Sequence, residues 1–220
     1  MRASSIDSQE LYKEAWEIKK KTLGEFHADT IMMYGQIGRL YHDMGDLEQA
    51  RPLLEENLRS RLNILDPNHP QIAVAKNPLA ALLVDLKKYE DAKKLSEEAL
   101  VLRIELLSEE HPYIAFTYDT LALAEIGLGN MSAAEDAAKE SLRRRQKFLG
   151  ENHFRCAVAH MTMAKVRSAQ NRKREAIEEA KKAHNVNEVA LREGHPALER
   201  SLALLQDLKE GKHKTNTPRE

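Results

Sequence analysis

LGEFHADT at 23–30 and LDPNHPQI at 65–72 are two copies of one phrase. It returns as LSEEHPYI at 107–114, LGENHFRC at 149–156 and LREGHPAL at 191–198. The histidines His27, His69, His111, His153 and His195 follow one another at intervals of 42 residues. A fixed period of this size marks a solenoid, in which one supersecondary unit is copied and each copy packs on its neighbours.

Between histidines the pattern is helical. Ile31, Tyr34, Ile37, Gly38 and Tyr41 are three and four apart and share one helix face. Gly45 suits a left-handed residue just past that helix. Asp46, followed three residues later by Gln49, resembles a capping box for a second helix that carries Leu47, Ala50, Leu53, Leu54, Leu58 and Leu62. Adding 42 repeats the arrangement. Gly38 becomes Ala80, Ala122 and Ala164, and Ala50 becomes Ala92, Ala134 and Ala176. Small residues at these two places let the helices of a pair approach closely. Gly45 becomes Lys87, Gly129 and Asn171, of which Lys87 fits a left-handed turn least well.

The unit boundaries follow. A partial repeat holding only a second helix is expected at 1–22, with 1–7 loose and the helix over 8–22. Full repeats are expected at 23–64, 65–106, 107–148 and 149–190, then a capping helix at 191–209 and a disordered tail at 210–220. On this phasing the chain starts inside the array. Pro52 and Pro78 fall inside helices, where each removes a backbone hydrogen bond at a cost of about 3 kcal/mol. A kink near Asn77 and Pro78, or a late helix start, is therefore expected.

Small residues in both helices, a tyrosine near the end of the first and a glycine turn together resemble the tetratricopeptide repeat. The 42-residue period with its LGxxHP-type linker is similar to the kinesin light chain form of that repeat. The stretches that carry the likeness are GRLYHDMGDLEQARPLLEENL, KYEDAKKLSEEALVLRIELL and LGENH, and the likeness runs over 8–208. It implies an all-α, right-handed superhelical solenoid of antiparallel helix pairs. It also implies a concave groove, lined by the first helices, that binds short extended peptides of cargo and adaptor proteins. Family first helices commonly read LNNLA with groove asparagines, and KNPLA at 76–80 retains one of them as Asn77.

By phase, the inward face carries Met32, Gly35, Arg39, His42 and Asp43, then Val74, Asn77, Ala81 and Asp85. It continues through Phe116, Asp119 and Leu123 to Val158, Met161, Lys165 and Ser168. The candidate peptide-binding residues are Met32, Arg39, His42, Asn77, Phe116, Asp119, Met161 and Lys165. Asn77 would hold backbone amides, Arg39 and Lys165 would hold carboxylates, and Met32, Phe116 and Met161 would seat apolar anchors.

Other chemistry finds little support. The linker histidines stand roughly 10 Å apart on successive units, whereas zinc needs its ligands about 2 Å from one ion. No metal or other cofactor is expected. Cys156 takes the apolar phase of Ile72, Ile114 and Leu198, as a buried structural thiol would. No phosphate loop, serine elbow or metalloprotease helix is present, so the chain reads as a non-enzyme.

The net charge of −1 disfavours a nucleic-acid partner. A lone cysteine, no signal-peptide core and no membrane-length apolar run make the cytoplasm the expected compartment. Basic residues from Arg143 to Lys182 crowd the last third, read as a solvated convex face. Leu11, Tyr12 and Trp16 point where a first helix would pack and form a candidate self-association edge. The expected function is that of an adaptor or scaffold binding a protein or peptide partner. The rivals are a carboxylate clamp, a self-associating solenoid, and a regulatory region of a larger protein.

Overall fold

A computed structural model of the chain describes residues 2–106 and 112–212. Side chains are described in these spans except at 2–10, 13 and 112. All the regular structure described is helical. The first helices are α2 (Ala28–Asp43), α4 (Pro70–Asp85), α6 (Pro112–Gly127), α8 (Phe154–Ala169) and α10 (Pro196–Glu210). The second helices are α3 (Leu47–Ile64), α5 (Tyr89–Leu106), α7 (Met131–Leu149) and α9 (Lys173–Ala190), with α1 (Arg2–Leu23) in the same phase. The first helices start at 42-residue steps, and so do α3, α5, α7 and α9.

Two compact units divide the chain, Met1–Lys88 and Tyr89–Glu220. In the first, α2 packs on α1, α3 and α4. Trp16 of α1 meets Tyr34 of α2 edge-on at 5.5 Å between ring centres, so it is a packing residue and not part of an open edge. Burial, and a hydrogen bond to Glu25, push the Tyr34 phenol up to about 12. The close approach expected at Gly38 is present. A Cβ there would stand 2.8 Å from the Leu54 side chain, so a larger residue forces Leu54 to shift. In the second unit, Ala122, Ala134, Ala138, Met163 and Val166 form one core, and Ala164, Ala176, Ala180, Leu204, Leu205 and Leu208 another.

Two expectations are corrected. The segment expected to be loose is helical from Arg2, because no glycine or proline interrupts the run before Gly24 and a nucleated helix extends at little cost. Pro78 does not delay α4, which starts at Pro70 and runs through it. Pro78 removes the donor to the Val74 carbonyl, and Val74 is 48% exposed, so solvent reaches that turn. Of the expected disordered tail, Glu210 closes α10 and 213–220 lie outside the described residues.

The turns between paired helices follow the sequence closely. Gly45, Lys87, Gly129 and Asn171 are all left-handed, with φ of 80°, 59°, 80° and 60°. The residue after each donates back five positions, Asp46 to Tyr41, Lys88 to Leu83, Asn130 to Glu125 and Arg172 to Arg167, all at 2.8–2.9 Å. This is the Schellman closure of a helix end.

Candidate functional site

The histidines that set the period are helix caps. His27, His69, His153 and His195 stand just before α2, α4, α8 and α10. Each Nδ1 accepts the backbone N–H two residues on, at 3.1–3.2 Å. The ring does what a serine or aspartate usually does at this place. His111 lies outside the described residues. The described residues contain no group of three or more His, Cys, Asp or Glu side chains placed to hold a metal. Cys156 is fully buried, its thiol donates to the Gly150 carbonyl at 3.3 Å, and burial pushes its pKa up. Thr30, at the same register position three repeats earlier, bonds Gly24 in the same way at 2.8 Å.

A second periodic device was not anticipated. Lys19, Arg61, Arg103, Arg145 and Asn187 share one register position on the second helices. Lys19 bonds Asp29 at 2.7 Å and Arg61 bonds Gln71. Arg103 donates to the Tyr113 carbonyl at 2.5 Å, and Asn187 donates to the Ala197 carbonyl at 3.0 Å. All four links reach ten residues ahead, into the first turn of the next helix. At Arg145 that partner position holds Arg155, a like charge. Arg145 turns instead to Asp119, with Ser141 donating to the same carboxylate at 2.6 Å. The only sequence signal was the repetition of a basic residue at a core phase.

This geometry sorts the expected peptide-binding residues. Met32 and Phe116 stand open at 42% and 47% exposure, and Arg39 is exposed. Met161 and Lys165 are half-buried. His42 is half-buried and bonds Asp85 at 2.6 Å, two side chains placed on one face by the sequence reading. Asn77 and Asp119 are buried, contrary to their expected role. Asn77 is 1% exposed, and neither its Oδ1 nor its Nδ2 has a hydrogen-bond partner. Asp119 is shut in by its pairing with Arg145. The residue at the row position of Met32 is apolar in each of the next three first helices, at Val74, Phe116 and Val158, and all are exposed.

The basic end is exposed at Arg143, Lys147, Arg172 and Lys182, as a solvated face would be, and departs from that reading at two residues. Arg144 and Arg145 are buried, and Arg144 lies 5.3 Å over the Tyr118 ring. Arg143 pairs with Glu140, Arg172 with Glu175 and Lys182 with Glu179. Part of the apparent charge excess is thus neutralised by neighbouring carboxylates.

A sequence model of the tetratricopeptide repeat matches 6–63 and 71–147. The chain belongs to the tetratricopeptide-repeat family. Its repeats are kinesin light chain-like. The Arabidopsis thaliana protein KINESIN LIGHT CHAIN-RELATED 2 is 34% identical over 77 residues, which is 35% of this chain and 12% of that protein. The chain thus matches a small part of that relative's length. Among solved structures, nearly identical TPR-like repeats from Podosopora anserina, provisionally assigned to a kinesin light chain, superpose with a TM-score of 0.67 at 21% identity. That match covers 84% of this chain and 88% of the other. BtubC from P. vanneervenii superposes with a TM-score of 0.65 at 20% identity, covering 96% and 82%. At these identities the structural likeness concerns fold, a tetratricopeptide-repeat solenoid of antiparallel helix pairs. Among the described residues no helix is long and apolar enough to cross a membrane.

Proposed function

We propose that the chain is a non-enzymatic adaptor or scaffold that binds an extended peptide of a partner protein in the groove lined by its first helices. Tetratricopeptide repeats serve broadly as protein-interaction scaffolds, which supplies the coarse part of this reading. The observation that carries the finer part is the exposed apolar row, Met32 and Val74 in the first unit and Phe116 and Val158 in the second. Core-facing neighbours on the same helices, such as Ile31, Ile72 and Ile114, are at most 1% exposed. A side chain that is apolar and open at each repeat is suited to seating ligand side chains. Arg39 and Lys165 would add contacts to carboxylates. The repeat bounds that go with this reading are 23–64, 65–106, 107–148 and 149–190. The single buried, unpaired cysteine fits a reducing compartment such as the cytoplasm.

The test is selection from a random peptide library on the wild-type chain and on a variant carrying Met32→Glu, Arg39→Glu, Phe116→Glu and Lys165→Glu. These positions lie on helix surfaces, so unchanged helical circular dichroism is expected. Peptides retained by the wild type and lost by the variant support the reading. Identical peptide sets, or none from either protein, contradict it.

A second reading is favoured by α1, where Leu11 is 65%, Tyr12 42% and Ile18 62% exposed. Leu11 and Tyr12 take the register of Leu53 and Leu54, which pack on Gly38 in the next pair. Self-association through this face would give a concentration-dependent mass in sedimentation that Leu11→Glu abolishes. A constant mass would remove this reading.

A further inference from the structure

Phe116, Val158 and Arg200 hold one position of the 42-residue repeat, on α6, α8 and α10. These three helices belong to the second unit, with α6 against α8 and α8 against α10. Phe116 is 47% and Val158 40% exposed, and Arg200 is exposed too. Among the described residues Arg200 has no hydrogen bond or ion pair. Glu199 and Asp207 share α10 with it, and neither is bonded to it. The row is thus apolar, apolar, cationic.

Neighbouring packed helices stand about 10 Å apart. A polyproline II chain has three residues per turn and rises about 3.1 Å per residue. Every third side chain therefore faces the same way, at intervals of about 9 Å. This pitch matches the helix spacing without strain. An extended β-strand fits less well, because its side chains repeat on one face every second residue. Charge sets the third position. Asp119, the acid expected on this face, is withdrawn into its pair with Arg145, so it does not repel an acidic ligand.

We propose that the second unit takes a polyproline II-like peptide with two apolar residues three positions apart and an acidic residue three positions beyond. The apolar side chains rest on Phe116 and Val158, and the carboxylate meets the Arg200 guanidinium. The proposal rests on the first-helix reading above and names the ligand for it.

The test is fluorescence anisotropy with a labelled peptide of core Leu-Pro-Ser-Leu-Pro-Ser-Asp, and with the same core reversed. The expected result is that one of the two binds the full chain. Arg200→Glu should then weaken binding about tenfold, as loss of a charged hydrogen bond does. A peptide with Lys in place of Asp should recover binding to Arg200→Glu, a rescue that a damaged fold cannot give. Equal affinity for Arg200→Glu and wild type, or for peptides with the leucines two or four positions apart, would overturn the proposal. If neither core binds while library peptides of other spacing do, this spacing rule falls and the first-helix reading stands. If no library peptide binds, both fall.

Discussion

Arg145 of α7 donates to Asp119 of α6, twenty-six residues back, where its counterparts Arg61 and Arg103 reach ten residues forward. Both side chains are buried, at 3% and 7% exposure. Removing one partner leaves an uncompensated buried charge, which costs about 3–5 kcal/mol. Asp119→Ala should therefore destabilise the chain by that amount in urea unfolding. The double variant Asp119→Leu with Arg145→Met should recover most of the loss. A single-variant cost below about 1 kcal/mol, the range of a surface pair, would show that the pair is solvated.

The histidine caps predict a small loss of stability at each site. Removing a side-chain N-cap costs about 1 kcal/mol. His69→Ala should lower the unfolding free energy by that amount, while His69→Asp, which can accept the same Gln71 N–H, should not. Equal losses in both variants would mean that the ring acts by packing.

The cap role shows what the sequence made legible and what it did not. The period placed every first-helix start, at 28, 70, 112, 154 and 196, directly after each histidine. The histidine's own role was hidden because imidazole is an uncommon cap, so only its spacing carried information. Exposure on the first helices was legible where the register kept one chemistry, as from Met32 to Val158. It failed at Asn77 and Asp119, because burial at that position depends on the second helix facing it. Arg145 is the example. A basic residue on a second helix read as solvated, yet it turns inward to Asp119, a carboxylate that the other repeats lack at that position, where Gly35, Asn77 and Met161 stand.

Lys87 holds a left-handed conformation that glycine occupies at Gly45 and Gly129. A residue with a Cβ is strained there by about 1 kcal/mol. Lys87→Gly should raise stability by about 0.5–1 kcal/mol, the strain relief being partly offset by a more flexible unfolded chain. Thermal unfolding checks the sign, and a fall in the midpoint would contradict it.

Glu135 ties α7 to the turn after α8. It takes hydrogen bonds from Lys139 at 2.7 Å and Gln170 at 2.8 Å, and pairs with Arg167 at 2.6 Å. Led by the Lys139 bond, these partners hold its carboxyl down to about 2, below the ordinary 4.5. A lowered folded value means that the stabilisation is present above about pH 4.5 and is lost as pH falls towards 2. Glu135→Gln should flatten the stability curve in that window. A curve parallel to that of the wild type would rule the group out.

The most direct test of the central claim is a methyl-labelled NMR titration with a library-selected peptide. The methyls of Met32, Val74, Val158 and Met161 report the first-helix faces, and those of Val101, Ile104 and Val189 report exposed second-helix surface. The account predicts shifts confined to the first group. Shifts confined to Val101, Ile104 and Val189 would contradict it and place the binding surface on the second helices.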